Sequence, residues 1–298
     1  MKKFLFAVCF FSLMGVAMQA QVTNTATPEA KAENFDKKFR FGLRANPQPS
    51  WFKSGNTGSK PSGAYFGFGF GLVMEFKLSN IVHFSTGIGG DFEGGSISYR
   101  NDATYQVRVV MDNENEMVEH KKDMADADYH LKSGNTLYVL KDRTYKSTMV
   151  SIPLLLKMMT NEYNGMKYFA VFGGELAFRA GMKANDSYYS GLKAVTSGTT
   201  IVQTPVSGDA LKSNNVAVGD DALVIPARFG MNLGLGTEYR IAGSTSLVFS
   251  VNYFQSFTNM MKKNSDYLTK DEVGSNTFTQ FNQAYFMRAV RINVGIMF

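Results

Sequence analysis

Cysteine is almost absent: the only one in 298 residues is Cys9. It lies inside an apolar run from Phe4 to Ala17 that follows Met1-Lys2-Lys3 and leads to Met18-Gln19-Ala20 before Gln21. A charged start, a short apolar core and a small final residue read as a secretory signal peptide over residues 1–20. Met18 stands three places before the cut, where a small residue is preferred. The core is too short to cross a bilayer comfortably, and Cys9 is too near the start for lipid attachment. The mature chain then has no cysteine, which excludes disulfides, thiolate metal sites and a cysteine nucleophile.

Long apolar runs are missing too. After the signal no stretch of about 18 apolar residues recurs, so no transmembrane helix is expected. A strong charge of either sign is also lacking. The formal +6 falls to +4 without Lys2 and Lys3, with 29 basic residues against 25 acidic ones. So mild an excess suits solubility and gives no reason to expect a nucleic-acid partner. Histidine is scarce, with three residues, and no cofactor, metal site or catalytic set is expected from the spacing of the remaining residues.

Aromatic residues (13%) and glycine (28) are plentiful instead. An exported membrane protein without helices has one arrangement that satisfies its backbone, the closed barrel. Residues 21–38 are polar, contain Pro28 and read as a disordered periplasmic leader. From Phe39 the sequence alternates with a period of two, which puts successive side chains on opposite faces of a strand. In Ala64–Lys77, Phe66, Phe68, Phe70, Leu72, Met74 and Phe76 oppose Tyr65, Gly67, Gly69, Gly71, Val73, Glu75 and Lys77. The same division recurs in Val82–Glu93, Tyr168–Lys183 (with Met182 on the apolar face and Arg179, Gly181 and Lys183 opposite), Arg228–Tyr239, Leu247–Tyr253 and Val290–Phe298.

Phe39–Asn46 and Met149–Met159 complete an even count of eight antiparallel strands, as a bacterial barrel requires. Short connections at Leu78–Ile81, Thr160–Lys167 and Arg240–Ser244 are expected to face the periplasm. Long ones at Arg100–Thr144, Ala184–Ala222 and Thr258–Phe278 are expected outside, with Ser54–Ser62 the shortest outer loop. The expected fold is therefore an all-β, eight-stranded antiparallel transmembrane barrel over residues 39–298. Glycines share the face of the charges, as a narrow lumen demands, and the apolar face carries no mid-strand lysine or arginine. Arg288 has lipid-facing parity but lies near the outer end, where it can snorkel to the interface.

With the strands in place, the chain resembles the PorT-like outer-membrane β-barrel family of Bacteroidetes-type bacteria over most of Phe39–Phe298. The signal ending Gln19-Ala20-Gln21, the strand Ser151-Ile152-Pro153-Leu154-Leu155-Leu156-Lys157 and the next strand Tyr168-Phe169-Ala170-Val171-Phe172-Gly173-Gly174 carry the resemblance. Phe298 looks like the terminal aromatic that barrel-assembly machinery recognises. The resemblance implies an outer-membrane location and, for one class of members, a link to type IX secretion. Partners expected are outer-membrane lipid, the assembly machinery, and secretion or surface proteins at the outer loops.

Pro153 lacks the ladder donor in a strand paired on both sides, so a bulge is expected there, or else a lateral opening. Arg40, Arg44, Glu75, Lys77, Asp91, Glu93, Lys157, Glu175, Arg179, Lys183, Arg228, Glu238 and Arg291 share the lumen parity. An eight-stranded barrel is just wide enough for side chains to fill it, so they are expected to form a plug of ion pairs, with a selective narrow path as the alternative. His83, with Ser85 two residues on, reads as a polar lumen residue before a general base. His120 and His130 lie among Asp112, Glu114, Glu116, Glu119, Asp123, Asp126 and Asp128. That group is a solvated loop tip, a divalent-cation site or an Asp–His pair for hydrolysis. Thr104–Val110 and Thr136–Leu140 are β-prone and expected to extend the third and fourth strands as an outer hairpin. The expected function is non-enzymatic, structural or partner-binding. An outer-membrane hydrolase and a narrow porin-like channel are the alternatives.

Overall fold

The computed structural model describes residues 37–55, 58–102, 105–119, 131–197, 200–218, 224–271 and 278–298. The signal peptide, nearly all of the leader, and His120 through His130 lie outside the described residues. In chain order the strands are β1 (Phe39–Ser54), β2 (Ser59–Lys77), β3 (Val82–Tyr99), β4 (Asn101–Asp102), β5 (Tyr105–Met111), β6 (Met117–Val118), β7 (Thr136–Met159) and β8 (Met166–Ser197). They continue with β9 (Thr200–Val206), β10 (Lys212–Ala217), β11 (Ala227–Ala242), β12 (Thr245–Ser256), β13 (Asn264–Asp271), β14 (Phe278–Asn282) and β15 (Tyr285–Met297).

Eight of these are long, and their antiparallel pairings run β1–β2–β3–β7–β8–β11–β12–β15 and return from β15 to β1. At one end short turns join them. Asn164 (φ 49°) and Gly165 (φ 76°) make the turn between β7 and β8. Two successive left-handed residues give a hairpin turn whose twist matches its strands, which Asn-Gly adopts at little cost.

The lower part of the molecule is inverted relative to a soluble protein. Phe41, Phe68, Phe70, Ile88, Phe172, Leu233, Leu235, Phe249 and Val294 point outward and are exposed, while Arg40, Glu75, Asp91, Glu93, Lys157, Glu175, Arg228, Glu238 and Arg291 point inward and are buried. Exposed residues of that kind are stable only against hydrocarbon. Glycines make the interior room: a Cβ added to Gly69 would strike the Asp91 carboxylate and the Asn46 amide. Gly69→Val is accordingly expected to cost about 1–3 kcal/mol through overpacking. The urea midpoint of the folded protein in lipid vesicles measures it.

Above that band the pattern reverses. Outward positions become polar, with Ser96 bonded to Thr144 (2.8 Å) and Ser98 bonded to Asp142. Inward positions become apolar: Phe52, Ile97, Tyr99, Tyr145, Met182, Ala184, Tyr188, Met287 and Tyr285 form one buried cluster with Val107 and Val109 of β5 and Leu268 of β13. The upper half is therefore a soluble-type sheet with its own core. This corrects the expected long loops. Much of Arg100–Thr144 and Ala184–Ala222 is strand, because alternation of either polarity makes one. The expected outer hairpin is present as β5 paired with the start of β7.

Two further expectations are corrected. The register shift between Thr148 and Met149, opposite Ala180, inserts one residue into β8. An inserted residue exchanges the faces of all that follow, so Met182 is buried and Lys183 exposed, the reverse of the sequence reading. Pro153 sits in no bulge, since β7 keeps one register against β3 from Met158 to Asp142 and pairs Pro153 with Glu175 on β8. What the missing donor does is interrupt the β3–β7 ladder at Gly87 and Ile88, with the same register on both sides. The β1–β15 ladder skips Asn46–Pro49 in the same way, where Pro47 and Pro49 stand, and Gln48 accepts from Arg291 Nε across that gap at 2.8 Å.

Candidate functional site

The buried lumen charges come together in two tiers. In the lower, Arg40 of β1 donates from Nη2 to Glu75 of β2 (2.7 Å) and to Glu238 of β11 (3.0 Å), and from Nη1 to Glu238. Lys157 of β7 donates to the same two carboxylates at 2.7 and 3.1 Å, and Ser246 of β12 donates to Glu238 at 2.6 Å. Two cations meet two carboxylates, so the tier is neutral.

In the upper tier Arg291 of β15 grips Glu175 of β8 through both terminal nitrogens, with Nη2–Oε1 at 2.9 Å. Arg228 of β11 reaches Glu175 at 3.4 Å and pairs with Glu93 of β3. Ser151 donates to Asp91 at 2.5 Å, and Asn232 to Glu175 at 3.3 Å. Phe254 lies against both guanidiniums, 4.4 Å from Arg228 and 4.8 Å from Arg291. The Arg291–Glu175, Arg228–Glu93 and Arg40–Glu238 pairs join strands three places apart around the ring, so they cross the lumen. Charges taken from water are tolerable only when paired and bonded in this way.

Asn232, Asn252, Ser250 and Asn293 add a bonded polar layer, with Asn252 donating to Asn232 at 3.1 Å and Asn293 to Ser250 at 3.0 Å. A cavity of about 80 Å³ borders the lower tier, lined by Arg44, Lys157, Leu155, Phe169 and Asn293 among others. It has room for a few waters. His83 is buried at the lower rim beneath this tier.

Sequence parity thus placed nine of its thirteen charges inside the two tiers and Arg44 beside them. Lys77 and Arg179 are half-buried and Lys183 points outward. Parity missed Gln48 and Ser50, which continue β1 beyond Pro47. It also missed the outer pair of Arg143 with Asp186 (2.7 and 2.6 Å), where Tyr188 donates to Asp186 at 3.1 Å. Burial opposes the Arg143 charge, but the Asp186 carboxylate outweighs it and holds the guanidinium charged. Burial also raises the Tyr99, Tyr188 and Tyr285 hydroxyls above their usual range. Of the acidic outer group, Asp112 accepts the amides of Glu114 (2.8 Å) and Glu116 (2.9 Å), the bonding of a tight turn. Among the described residues no group of three or more His, Cys, Asp or Glu side chains is placed to hold a metal ion.

A family model described as outer membrane protein beta-barrel domain matches residues 19–262. The chain belongs to that family. Solved outer-membrane proteins match this barrel at low identity. OprG from Pseudomonas aeruginosa is 10% identical, with 87% of this chain and 94% of that one covered and a TM-score of 0.36. A major outer membrane protein from Thermus thermophilus is 11% identical, with 87% and 99% covered and a TM-score of 0.36. Ail from Yersinia pestis is 10% identical, with 88% and 100% covered and a TM-score of 0.28. No curated protein matches the chain. An outer-membrane location gives the exposed apolar band its solvent.

Proposed function

We propose that the protein is exported by a cleaved signal peptide and spans the outer membrane as a barrel of eight strands with a sealed lumen. In this reading it is a non-enzymatic structural or partner-binding component that acts through its extracellular half. The observation that carries the reading is the pair of charge tiers bonded across the lumen, beneath a second, apolar core that fills the outer end. Little space is left for solute to pass. The outer half supplies contact surface instead: the β8–β9 hairpin exposes Tyr189, Leu192, Val195, Ile201 and Val202, an apolar group rare on a surface without a partner. The partners proposed are outer-membrane lipid, barrel-assembly machinery during biogenesis, and secretion or surface proteins at that rim. The PorT-like resemblance makes a type IX secretion complex the first to examine.

Two measurements test this. Purified protein in a planar bilayer is expected to give no stepwise conductance, and a reproducible open level would overturn the sealed lumen. Cross-linking with mass spectrometry in native membranes is expected to recover a consistent partner at the β8–β9 hairpin. Its consistent absence would overturn the partner-binding role.

A further inference from the structure

The bulge that turns Lys183 outward sets it directly opposite Lys146, as Cα partners of β8 and β7. Side chains so paired start only about 5 Å apart, and like charges there destabilise a sheet. Among the described residues neither lysine forms an ion pair. The nearest outward carboxylate on either strand is Asp142, four residues along β7 and about 13 Å away at ~3.3 Å per residue. Asp142 is already engaged by Ser98 and Ser187.

The position of the two lysines is as telling as their proximity. One row toward the periplasm, Thr148 pairs with Phe92 and with Gly181, and the next row is the exposed pair Val150 and Phe178. Lys146 and Lys183 therefore stand at the upper limit of the apolar band, where outer-leaflet headgroups lie. Both line a cavity of about 700 Å³ to which Tyr65, Phe92, Thr148 and Asn215 also contribute. Glu116 is the one carboxylate of the lining and makes no ion pair with either lysine among the described residues.

We propose that this place binds the phosphate of an outer-leaflet lipid, Lys146 and Lys183 holding the anion and Thr148 and Asn215 donating beside it, with the acyl chains lying down the Phe92, Val150 and Phe178 face. The phosphate removes the repulsion between the lysines. The proposal rests on the reading of the apolar band as the membrane zone.

The test uses the full folded protein in detergent, titrated with a diphosphorylated glycolipid, phosphatidylglycerol, phosphatidylcholine or inorganic phosphate, with retained lipid counted by native mass spectrometry. The glycolipid is expected to be retained and phosphatidylcholine not. Lys146→Gln or Lys183→Gln should weaken glycolipid binding about five-fold and the double variant about thirty-fold, while Lys193→Gln/Lys212→Gln should bind as the unaltered protein does. Lys146→Arg/Lys183→Arg should keep binding, which separates charge from any loss of fold in the neutral variants. Undiminished binding by a folded double variant overturns the site, and so does equal retention of phosphatidylcholine. Displacement of the glycolipid by millimolar inorganic phosphate overturns its assignment to a lipid. Protein that fails to insert into vesicles overturns the outer-membrane reading instead, and is scored separately by its gel mobility before and after heating.

Discussion

Glu175→Ala is expected to destabilise the barrel by about 3–5 kcal/mol, the largest single effect of any lumen substitution. Glu175 is fully buried and receives Arg291 twice, Arg228 once and the Asn232 amide. Removing it leaves two guanidiniums inside the barrel with only Glu93 and Asp91 to share. The Arg291 contacts to those carboxylates are long, at 3.9 and 4.0 Å. Glu175→Gln keeps the acceptor and loses the charge, so an intermediate loss is expected. Glu175→Leu/Arg291→Met removes both members of a doubly bonded pair and should recover much of the stability, because an apolar replacement of a buried pair is often neutral. Urea unfolding in lipid vesicles, followed through the single tryptophan, Trp51 on β1, measures all three. A loss below about 1 kcal/mol in Glu175→Ala would show that the tiers do not hold the barrel together.

The second large effect tests the outside. Leu233 faces outward in the middle of β11, flanked by Phe172 and Tyr253, and is 42% exposed. Leu233→Arg is expected to cost about 2–4 kcal/mol, since it takes a guanidinium to the bilayer midplane. Tyr189 is equally exposed at 44% but lies on the outer half of β8. The same change there should stay within about 0.5 kcal/mol because water is its solvent. Equal costs at the two positions would mean that the apolar band does not face lipid.

The contrast between Leu233 and Tyr189 also separates what the sequence states from what it conceals. Alternation with apolar residues on one face and glycine with charge on the other is legible wherever lipid lies outside, because the bilayer imposes one polarity on every strand that crosses it. The lumen charges follow from that parity, and nine of them meet in the two tiers. The outer half obeys the opposite polarity. Ser96, Ile97, Ser98 and Tyr99, and Tyr145, Lys146 and Ser147, lie beyond the limits Val82–Glu93 and Met149–Met159 that the lipid-facing pattern sets.

The fold of residues 39–298 as an antiparallel membrane sheet was therefore determined by local pattern alone, through the period of two and the absence of any apolar helix. Which charges meet was not, because Arg40 and Glu238, or Arg291 and Glu175, lie more than a hundred residues apart and are joined only by the ring of pairings. Nor does the pattern show that one inserted residue opposite Thr148 and Met149 exchanges the faces of β8 as far as Tyr188. That bulge buries Met182 and sets Lys183 beside Lys146, and it is the register between two strands, a tertiary property, that put it there.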